Sequence, residues 1–208
     1  MAAIDTRDQF AGLFDLYTAV IVAVTVVVFA VVLFALVRFR RRDDGFARGR
    51  HRSTVGESLY AVALACIAVF LVAATFRTES RVDRVAKTEG LRVDITAFQW
   101  QWRFDYPDSG VSIIGSPHED PPTIVVPLHT RVLFTATSRD VIHSFWLPQE
   151  RFKRDAFPGR TTRFDLVFDT PGTQRGHCAE FCGLRHSNMD FFVRAVPKAE
   201  FDRWVSAQ

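Results

Sequence analysis

Soft metal donors are scarce in this chain. Its 208 residues include only three cysteines and two methionines, and one of the methionines is the first residue. We find no internal repeat, no low-complexity segment, and no nucleophile–base pair or phosphate-binding loop that would indicate an active site within this chain. The net charge is only +3, and beyond Arg77 acidic and basic residues nearly cancel. The charge therefore predicts no nucleic-acid partner.

Long apolar runs are confined to the N-terminal third, over residues 16–37 and 59–76. The first run is long enough to cross about 30 Å of hydrocarbon as a helix. Buried core helices seldom run past about 15 residues without a polar face. A cleavable signal peptide would begin with a basic stretch and carry a shorter run, whereas this chain begins with the acidic MAAIDTRDQFAGLFD. We therefore predict a retained membrane anchor of two transmembrane helices in residues 1–76.

The segment between the two runs is strongly basic. Residues 38–52 contain seven arginines and two aspartates, and such loops stay on the cytoplasmic side of a membrane. A helical hairpin then returns the chain to the other side. The sequence predicts a multi-pass protein of the cell membrane, in contact with lipid, whose residues beyond Phe76 lie outside the cytoplasm.

After a charged linker over residues 77–90, the hydrophobic pattern changes to period two. Alternating β-branched and aromatic residues predict short strands, separated by Pro, Gly, Asp and Ser clusters. The clearest are 91–98, 123–126, 131–137, 162–168 and 190–196. Helical periodicity returns only near the end, at residues 199–207. Residues 91–208 are therefore predicted to form an all-β Greek-key sandwich or barrel of seven or eight strands.

The soft donors are concentrated in HCAEFCGLRHSNM, residues 177–189. A disulfide between Cys178 and Cys182 is one alternative that an exported location permits. It would close a loop with only three intervening residues and gain little entropy, and it would leave His186 and Met189 unexplained. Cys66, within the second apolar run, is most simply a small buried hydrophobic residue.

A metal site is the other alternative. His143, Cys178, Cys182 and His186 would make a plausible tetrahedral zinc set, but Met189 supplies a soft thioether, which is typical of copper centres. A mononuclear blue-copper site uses one thiolate, and here there are two. The donors fit better if two coppers share both sulfurs, each copper taking one histidine and one weak ligand. The second weak ligand could be a backbone carbonyl within the C-x-x-x-C turn.

At this point the chain resembles a known family, subunit II of the haem–copper cytochrome c oxidases. The resemblance implies an exported cupredoxin-like domain with a binuclear copper centre, CuA, over residues 91–208. It covers nearly all of the chain, and it is carried by the two N-terminal spans, QWQW at 99–102, DVIHSFWLP at 140–148, KRDAFPGR at 153–160 and CAEFCGLRHSNM at 178–189.

The resemblance assigns a role to each donor. It makes Cys178 and Cys182 the bridging thiolates and His143 and His186 the terminal imidazoles. Met189 becomes one axial ligand and the main-chain carbonyl of Glu180 the other. The carboxylate of Glu180 would also ligate a magnesium ion at the boundary with the catalytic subunit, since a hard cation prefers oxygen.

Further roles follow from the same resemblance. Trp100 matches a tryptophan through which electrons enter from cytochrome c, and Trp102, two residues on, would share its face of a strand. Asp105 and Asp108 could help to dock a basic cytochrome. Glu57 matches a glutamate at the mouth of a proton channel. Lys153, Asp155 and Arg160 are expected to pack against the catalytic subunit.

The implied function is an electron relay. Cytochrome c, or a cytochrome c domain, would reduce the copper centre, which would pass electrons to haem in catalytic subunit I for oxygen reduction coupled to proton pumping, alongside other oxidase subunits. The alternative is a membrane-tethered copper carrier or insertion protein, although five side-chain donors on a β framework favour retention over release.

Three residues just before Cys178 depart from the family pattern. His177 occupies the position of a glutamine and adds another nearby donor, and Gln174 and Arg175 replace aromatic residues.

Overall fold

The structure is a computed structural model that describes residues 6–40, 53–83, 90–115 and 120–208. The chain divides into two compact units. Of the described residues, those between 10 and 80 form one unit, and those between 81 and 208 form the other together with residues 6–9.

The first unit is helical. Helix α1 spans Thr6–Arg38 and helix α2 spans Thr54–Val82, and in the described ranges these are the helices long and apolar enough to cross a membrane. The most apolar stretch of each has no residue buried in the structure, as expected for surfaces that face lipid. The Thr75 hydroxyl donates to the carbonyl of Leu71 over 2.9 Å, so Tyr17 donates its hydroxyl to Thr75 Oγ1 over 2.8 Å.

Both helices extend beyond the predicted spans of 16–37 and 59–76. Helix α2 continues to Val82, so residues 77–82 of the predicted linker are helical. This part contains no proline or glycine that would end a helix. Residues 41–52 of the predicted cytoplasmic loop and 84–89 of the predicted linker lie outside the described residues.

The second unit is a sandwich of two antiparallel-rich sheets. Its described residues form ten strands, two or three more than predicted. The strands are β1 Leu91–Phe98, β2 Gln101–Tyr106, β3 Val111–Ile114, β4 Thr123–Pro127, β5 Arg131–Ser138, β6 His143–Leu147, β7 Phe152–Ala156, β8 Thr162–Val167, β9 Gly172–Cys178 and β10 Asp190–Val196. Strands β7 and β9 are polar, as in FKRDA and GTQRGHC, so hydrophobic alternation alone does not predict them.

The order of strands gives crossed connections. One sheet runs β3-β2-β1-β5-β8 and the other β4-β10-β9-β6-β7. Neighbours pair antiparallel except for β1 with β5 and β4 with β10, which pair parallel. Each of these parallel pairs joins strands that are distant in sequence, and a Greek key has such long connections between neighbouring strands. The predicted Greek-key sandwich is therefore confirmed.

Aromatic side chains fill the space between the sheets. Alternate residues along β1, β2, β5 and β10 are buried, so each strand turns one face inward. Phe145 stacks on Phe191 with 4.5 Å between ring centroids, and Trp102 meets the edge of Phe145 at 6.3 Å. Each buried aromatic side chain contributes roughly 1.5–3 kcal/mol. This core lies directly beneath β6 and β9, which makes both strands rigid supports.

The chain ends in helix α3, Lys198–Ser206, as its periodicity predicts. Phe201 and Trp204 of this helix pack against the ring of Tyr106, at 6.5 and 5.4 Å between centroids. The Tyr106 hydroxyl donates to the carbonyl of Val125 and accepts its N–H. Burial raises the pKa of Tyr106, so this hydroxyl stays protonated and links β2 to β4.

Candidate metal centre

Three neighbouring strands bring the predicted donors together. His143 begins β6, Cys178 ends β9, and Met189 immediately precedes β10. Strands β6 and β9 pair so that Phe145 lies opposite Cys178. The loop between β9 and β10 is held at both ends, since Ala179 N–H donates to the Ser144 carbonyl and Cys178 N–H donates to the Met189 carbonyl. Donors that are distant in sequence therefore meet at one end of a sheet.

The donor atoms form two symmetrical halves around a pair of sulfurs. The Sγ atoms of Cys178 and Cys182 lie 3.8 Å apart. His143 Nδ1 lies 3.8 Å from the sulfur of Cys178, and His186 Nδ1 lies 3.6 Å from the sulfur of Cys182. Each thiol therefore has one imidazole nitrogen beside it.

A weaker donor accompanies each half. The main-chain carbonyl oxygen of Glu180 lies 3.3 Å from the sulfur of Cys178, and the thioether sulfur of Met189 lies 3.8 Å from that of Cys182. A 3₁₀ turn at His186–Asn188 positions both His186 and Met189. The structure thus brings together all six predicted copper ligands, five by their side chains and one by its carbonyl.

Four of the five donor side chains are buried, and the fifth, His186, is half-buried. His143 is 0%, Met189 1%, Cys182 2% and Cys178 6% exposed. The two cysteines are free thiols, and 3.8 Å between their sulfurs is far longer than the roughly 2.05 Å of a disulfide bond. Cys66 lies in α2, within the other unit of the chain, where it is exposed rather than buried as predicted, and it is not one of these donors.

These residues fit a thiolate-rich metal. A metal–sulfur bond of about 2.3 Å allows two sulfurs on one ion to be up to roughly 4.6 Å apart, which the observed separation satisfies. His143, Cys178 and Cys182 offer ligand atoms that all lie within 4.8 Å of one another. The donor set exceeds the four ligands of a structural zinc site, and thiolates with a thioether are the ligands that copper prefers.

Asp140 orients one of the imidazoles. His143 Nε2 lies 2.9 Å from a carboxylate oxygen of Asp140, so the ring donates Nε2–H there and leaves Nδ1 free to ligate. Burial opposes ionisation of Asp140, but hydrogen bonds from Gln99 N–H, His143 and Val141 N–H outweigh it and lower the pKa of this carboxyl. Burial lowers the pKa of His143 in spite of Asp140. Both groups are thus held in the states that a metal site needs.

The thiol of Cys182 is held in its protonated form. Burial, followed by the proximity of Cys178, raises the pKa of Cys182 to about 12. A protonated thiol is a poor metal ligand. Metal binding at this centre must therefore displace a proton from Cys182.

A two-residue turn between β1 and β2 packs against the loop between β9 and β10, residues 179–189, which we call the metal loop. Gln99 Nε2 and Trp100 Nε1 both donate to the main-chain carbonyl of Cys182, over 2.7 and 3.1 Å. Gln99 N–H donates to Asp140 over 2.7 Å. At Gly183, φ is +112°, and a Cβ there would lie only 3.0 Å from Gln99 Nε2. Only glycine allows this approach without strain.

Trp100 and Trp102 do not share a face, contrary to the prediction from their spacing. Trp100 lies in the turn rather than in β2 and is half-buried. Trp102 is fully buried in β2, and its indole N–H donates to the carbonyl of Met189 over 3.2 Å. Strand periodicity does not apply across a turn, so one tryptophan supports the loop from the core and the other touches it from the surface.

Three supporting residues are not predicted from the sequence, namely Gln99, Asp140 and Gly183. Asp140 stands three residues before a predicted histidine ligand and Gly183 directly follows a predicted cysteine ligand. Those positions are the available sequence signals for a ligand-orienting acid and for a close backbone approach. Gln99 has no such signal, because its role depends on a contact 83 residues along the chain.

Other predicted residues lie outside the centre. The Glu180 carboxylate lies 3.5 Å from Lys153 Nζ, which also lies 3.8 Å from Asp155. Arg160 stacks on Phe157 at 4.1 Å. Glu57 lies in the first turn of α2.

The departures from the family pattern also have partners. His177 Nδ1 lies 2.7 Å from Asp190, which also pairs with Arg175, so this imidazole nitrogen is turned away from competition for metal. Gln174 is buried and donates its Nε2 to Glu150 over 2.9 Å.

Fold and site together define a class of protein: a β-sandwich joined to two apolar helices, with a buried pair of thiols flanked by two imidazoles. The comparisons agree with this class. The family model described as cytochrome C oxidase subunit II, periplasmic domain, matches residues 118–196. The crystal structure of the periplasmic domain of subunit II of cytochrome oxidase (CoxB) from Bradyrhizobium japonicum is similar with a TM-score of 0.53 and 31% identity, over 59% of this chain and 96% of that one.

Curated relatives extend the similarity into the helices. The chain is 33% identical over 193 residues to cytochrome c oxidase subunit 2 of Alkalihalophilus pseudofirmus, across 89% of this chain and 54% of that protein. It is 28% identical over 200 residues to the probable cytochrome c oxidase subunit 2 of Rickettsia conorii, across 89% of this chain and 63% of that protein. The chain therefore spans about half to two thirds of the length of these relatives. It belongs to the cytochrome c oxidase subunit II family.

Proposed function

We propose that this chain is the electron-accepting subunit of a respiratory haem–copper oxidase, with a binuclear copper centre of the CuA type. The observation that carries the proposal is the pair of Sγ atoms 3.8 Å apart, with one imidazole nitrogen beside each. This arrangement offers two equivalent half-sites around shared sulfurs. A mononuclear site would leave one of the two imidazoles and one of the two weak donors without a metal.

The residues that would hold the metal follow from the two halves. Cys178 and Cys182 would bridge, and His143 and His186 would each complete one side. The carbonyl of Glu180 and the thioether of Met189 would serve as the weak axial donors. Copper bound here would supply reversible one-electron chemistry.

The chain's own contribution is a rigid and largely buried environment. Burial of His143, Cys178, Cys182 and Met189 excludes water, and β6, β9 and β10 fix the donors from three sides. Donors that are held in place move little when the charge of the centre changes. Retention on a stiff framework supports a relay and counts against a copper carrier, which must release its metal.

Trp100 is the proposed point at which electrons enter. Its half-buried indole reaches from the surface to the carbonyl of Cys182 over 3.1 Å. One electron would leave the ferrous haem of a cytochrome c, or of a cytochrome c domain, which becomes ferric. The electron would cross Trp100 and the Cys182 main chain, and would later pass to haem in catalytic subunit I for oxygen reduction coupled to proton pumping.

The proposed location follows from the anchor and the family. Helices α1 and α2 would span the cell membrane in contact with lipid, and the β unit would face the extracytoplasmic side, in an assembly with other oxidase subunits. Glu57 would lie at the cytoplasmic end of α2, near a proton channel. The Glu180 carboxylate, 44% exposed, would bind magnesium at the catalytic subunit.

The thiols must be reduced before copper can bind. A related solved structure is described as a mixed disulfide intermediate between a thioredoxin-like protein, TlpAs, and the CoxB periplasmic domain of subunit II of cytochrome c oxidase. It is similar with 30% identity and a TM-score of 0.50, over 60% of this chain and 94% of that one. We propose that reduction is also required here, because an oxidised Cys178–Cys182 pair could not bridge two metals.

The test is to purify the full chain in detergent, reduce it, add copper, and measure copper per chain together with the electron spin resonance spectrum. The wild-type chain should bind two coppers that share one unpaired electron. Cys178→Ser and Cys182→Ser should each lose that shared signal, whereas Cys66→Ser, the matched control, should keep it. Met189→Leu should keep both coppers and shift the potential. A single copper or zinc per wild-type chain would overturn the proposal.

A further inference from the structure

The carboxylates expected to attract a basic cytochrome are already neutralised within the chain. Asp105 lies 2.9 Å from Arg103, on the same strand. Asp108 forms an ion pair with Arg92, and its hydrogen bond to that guanidinium lowers the pKa of Asp108. Each acid is matched by a neighbouring arginine, so the two pairs present little net negative charge to a partner.

The turn that carries Trp100 is instead flanked by exposed arginines. The guanidinium of Arg185 lies over the ring of Trp100 at 5.8 Å, and that of Arg139 lies over the ring of Phe98 at 5.5 Å. Both arginines are exposed. Among the residues that the structure describes, neither arginine forms an ion pair with a carboxylate. Stacking on an aromatic ring holds a guanidinium in place and leaves its N–H groups open to a partner.

The nearest acid does not bind either guanidinium. Asp140 follows Arg139 and is ionised, but its oxygens accept hydrogen bonds from His143, from Gln99 N–H and from Val141 N–H. Leu184, next to Arg185 in the metal loop, is 89% exposed. We call Phe98, Trp100, Arg139, Leu184 and Arg185 the arginine face. It combines apolar and aromatic surface with two positive charges at its rim.

We propose that the arginine face binds an electron-donor protein whose contact surface is apolar at its centre and rimmed by carboxylates. The inference rests on the proposed function, in which Trp100 receives the electron, and it specifies the chemistry of the donor. Arginine and tryptophan are the side chains that most often dominate protein interfaces. A guanidinium also binds a carboxylate through two parallel hydrogen bonds, so each stacked arginine supplies an oriented site for an acidic residue.

The positive charge of the arginine face predicts how salt changes the association rate of a donor. Complementary charges raise association rates at low salt, and the gain disappears as salt screens them. An acidic donor should therefore associate with this chain faster at low salt than at high salt. A lysine-rimmed cytochrome c should show weak association, because its cations meet Arg139 and Arg185.

The experiment uses two forms of one probe: a lysine-rich cytochrome c, and the same protein after succinylation has turned its lysines into carboxylates. The copper-loaded full chain is placed in phosphatidylcholine nanodiscs, and association is measured by biolayer interferometry from about 20 to 200 mM salt, which shortens the Debye length about threefold. The succinylated form should associate faster than the native form at low salt, and salt should slow it.

Single arginine substitutions test whether the faster association depends on the arginine face. Arg139→Gln and Arg185→Gln should each slow association of the succinylated probe about threefold or more at low salt, since rim charges act mainly on the association rate. Arg185→Lys should retain more of the wild-type association rate than Arg185→Gln does. The matched control is Arg163→Gln, an exposed arginine on β8 at the far edge of the sheet from β2, which should leave association unchanged. Unaltered circular dichroism verifies folding.

Two results would overturn the inference: faster association of the native lysine-rich form, or variants of both face arginines that bind the succinylated form as the wild type does. The proposed function is judged separately, by reduction of the same samples with ascorbate and a small mediator. Failure of that reduction would refute the copper relay, whereas the binding measurement does not depend on electron transfer.

Discussion

Trp100 donates its indole N–H to the main-chain carbonyl of Cys182, with 3.1 Å between nitrogen and oxygen. The same carbonyl accepts the side-chain amide of Gln99 over 2.7 Å. A surface aromatic ring is thereby fixed to the residue that carries a buried thiol. The β1–β2 turn and the metal loop form one hydrogen-bonded body, although they are distant in sequence.

Replacing Trp100 by Phe should slow electron input from a reduced cytochrome without loss of copper. The substitution removes the indole N–H and its bond to Cys182, which costs only about 1 kcal/mol of stability, whereas it removes the direct link between surface and thiol. Stopped-flow absorbance measures the rate of copper reduction. Trp146→Phe is the matched control, since Trp146 is also partly exposed but contacts His177. Equal effects of the two substitutions would refute the role of Trp100.

Gly183→Ala should destabilise the β unit by roughly 1–3 kcal/mol, because φ of +112° is unfavourable for any residue with a Cβ. It should also change the copper spectrum, because the new methyl group would displace Gln99 and Trp100 from the Cys182 carbonyl. Gly172→Ala separates the two effects, since its φ is +135° but a Cβ there would meet nothing within 4 Å. Chemical denaturation measures the loss of stability, and the visible spectrum reports the change at the copper site. An unchanged spectrum in Gly183→Ala would show that the close contact does not shape the site.

The sequence predicts the framework well because the sandwich depends on hydrophobic alternation. Strands such as β1 and β5 alternate clearly between inward and outward residues, and their pattern is local. Strand β9, which carries Cys178, has a polar sequence and is a strand because β6 and β10 pair with it. Pairing between distant segments overrides local propensity here.

The candidate ligands were predictable for a chemical reason, and their supports were not. Cysteine and methionine are rare in this chain, so their presence together in one short loop indicates a soft metal. Gln99 and Asp140 are ordinary polar residues whose roles depend on where the fold places them. Likewise, the pairing of Asp105 with Arg103 and of Asp108 with Arg92 depends on side-chain geometry, which composition cannot specify.

Asp140→Asn should weaken copper binding about 10- to 100-fold, the usual consequence of losing a ligand-orienting carboxylate. The single amide oxygen can still accept from Gln99 N–H, so the turn should remain in place. The NH2 group then replaces the oxygen that accepts from His143 Nε2–H, so the imidazole loses this bond and is less basic. Chelator competition measures the affinity, and redox titration the accompanying change of potential. Asp105→Asn, which alters an acid outside the centre, is the control and should change neither. Wild-type affinity in Asp140→Asn would exclude the orienting role.

Copper affinity should rise with pH, at about tenfold per unit for each proton released. The sign follows from Cys182, whose pKa is raised from its ordinary value of 9.0 to about 12 by burial and by Cys178. The metal-free thiol is thus protonated at neutral pH, and copper must displace that proton. Because the folded chain holds this proton more tightly than the unfolded chain, the metal-free fold is favoured below pH 9 and loses this stabilisation as pH rises toward 12.

The copper-bound chain should show the opposite trend relative to the metal-free chain, since copper already holds Cys182 as a thiolate. Chelator competition at about pH 6, 7 and 8 measures the slope, and thermal unfolding with and without copper measures the divergence in stability. Cys66→Ser should reproduce the wild-type slope, because Cys66 belongs to α2 and not to the donor set. Affinity that does not vary with pH would mean that no thiol proton leaves on binding, and it would exclude Cys182 as a thiolate ligand.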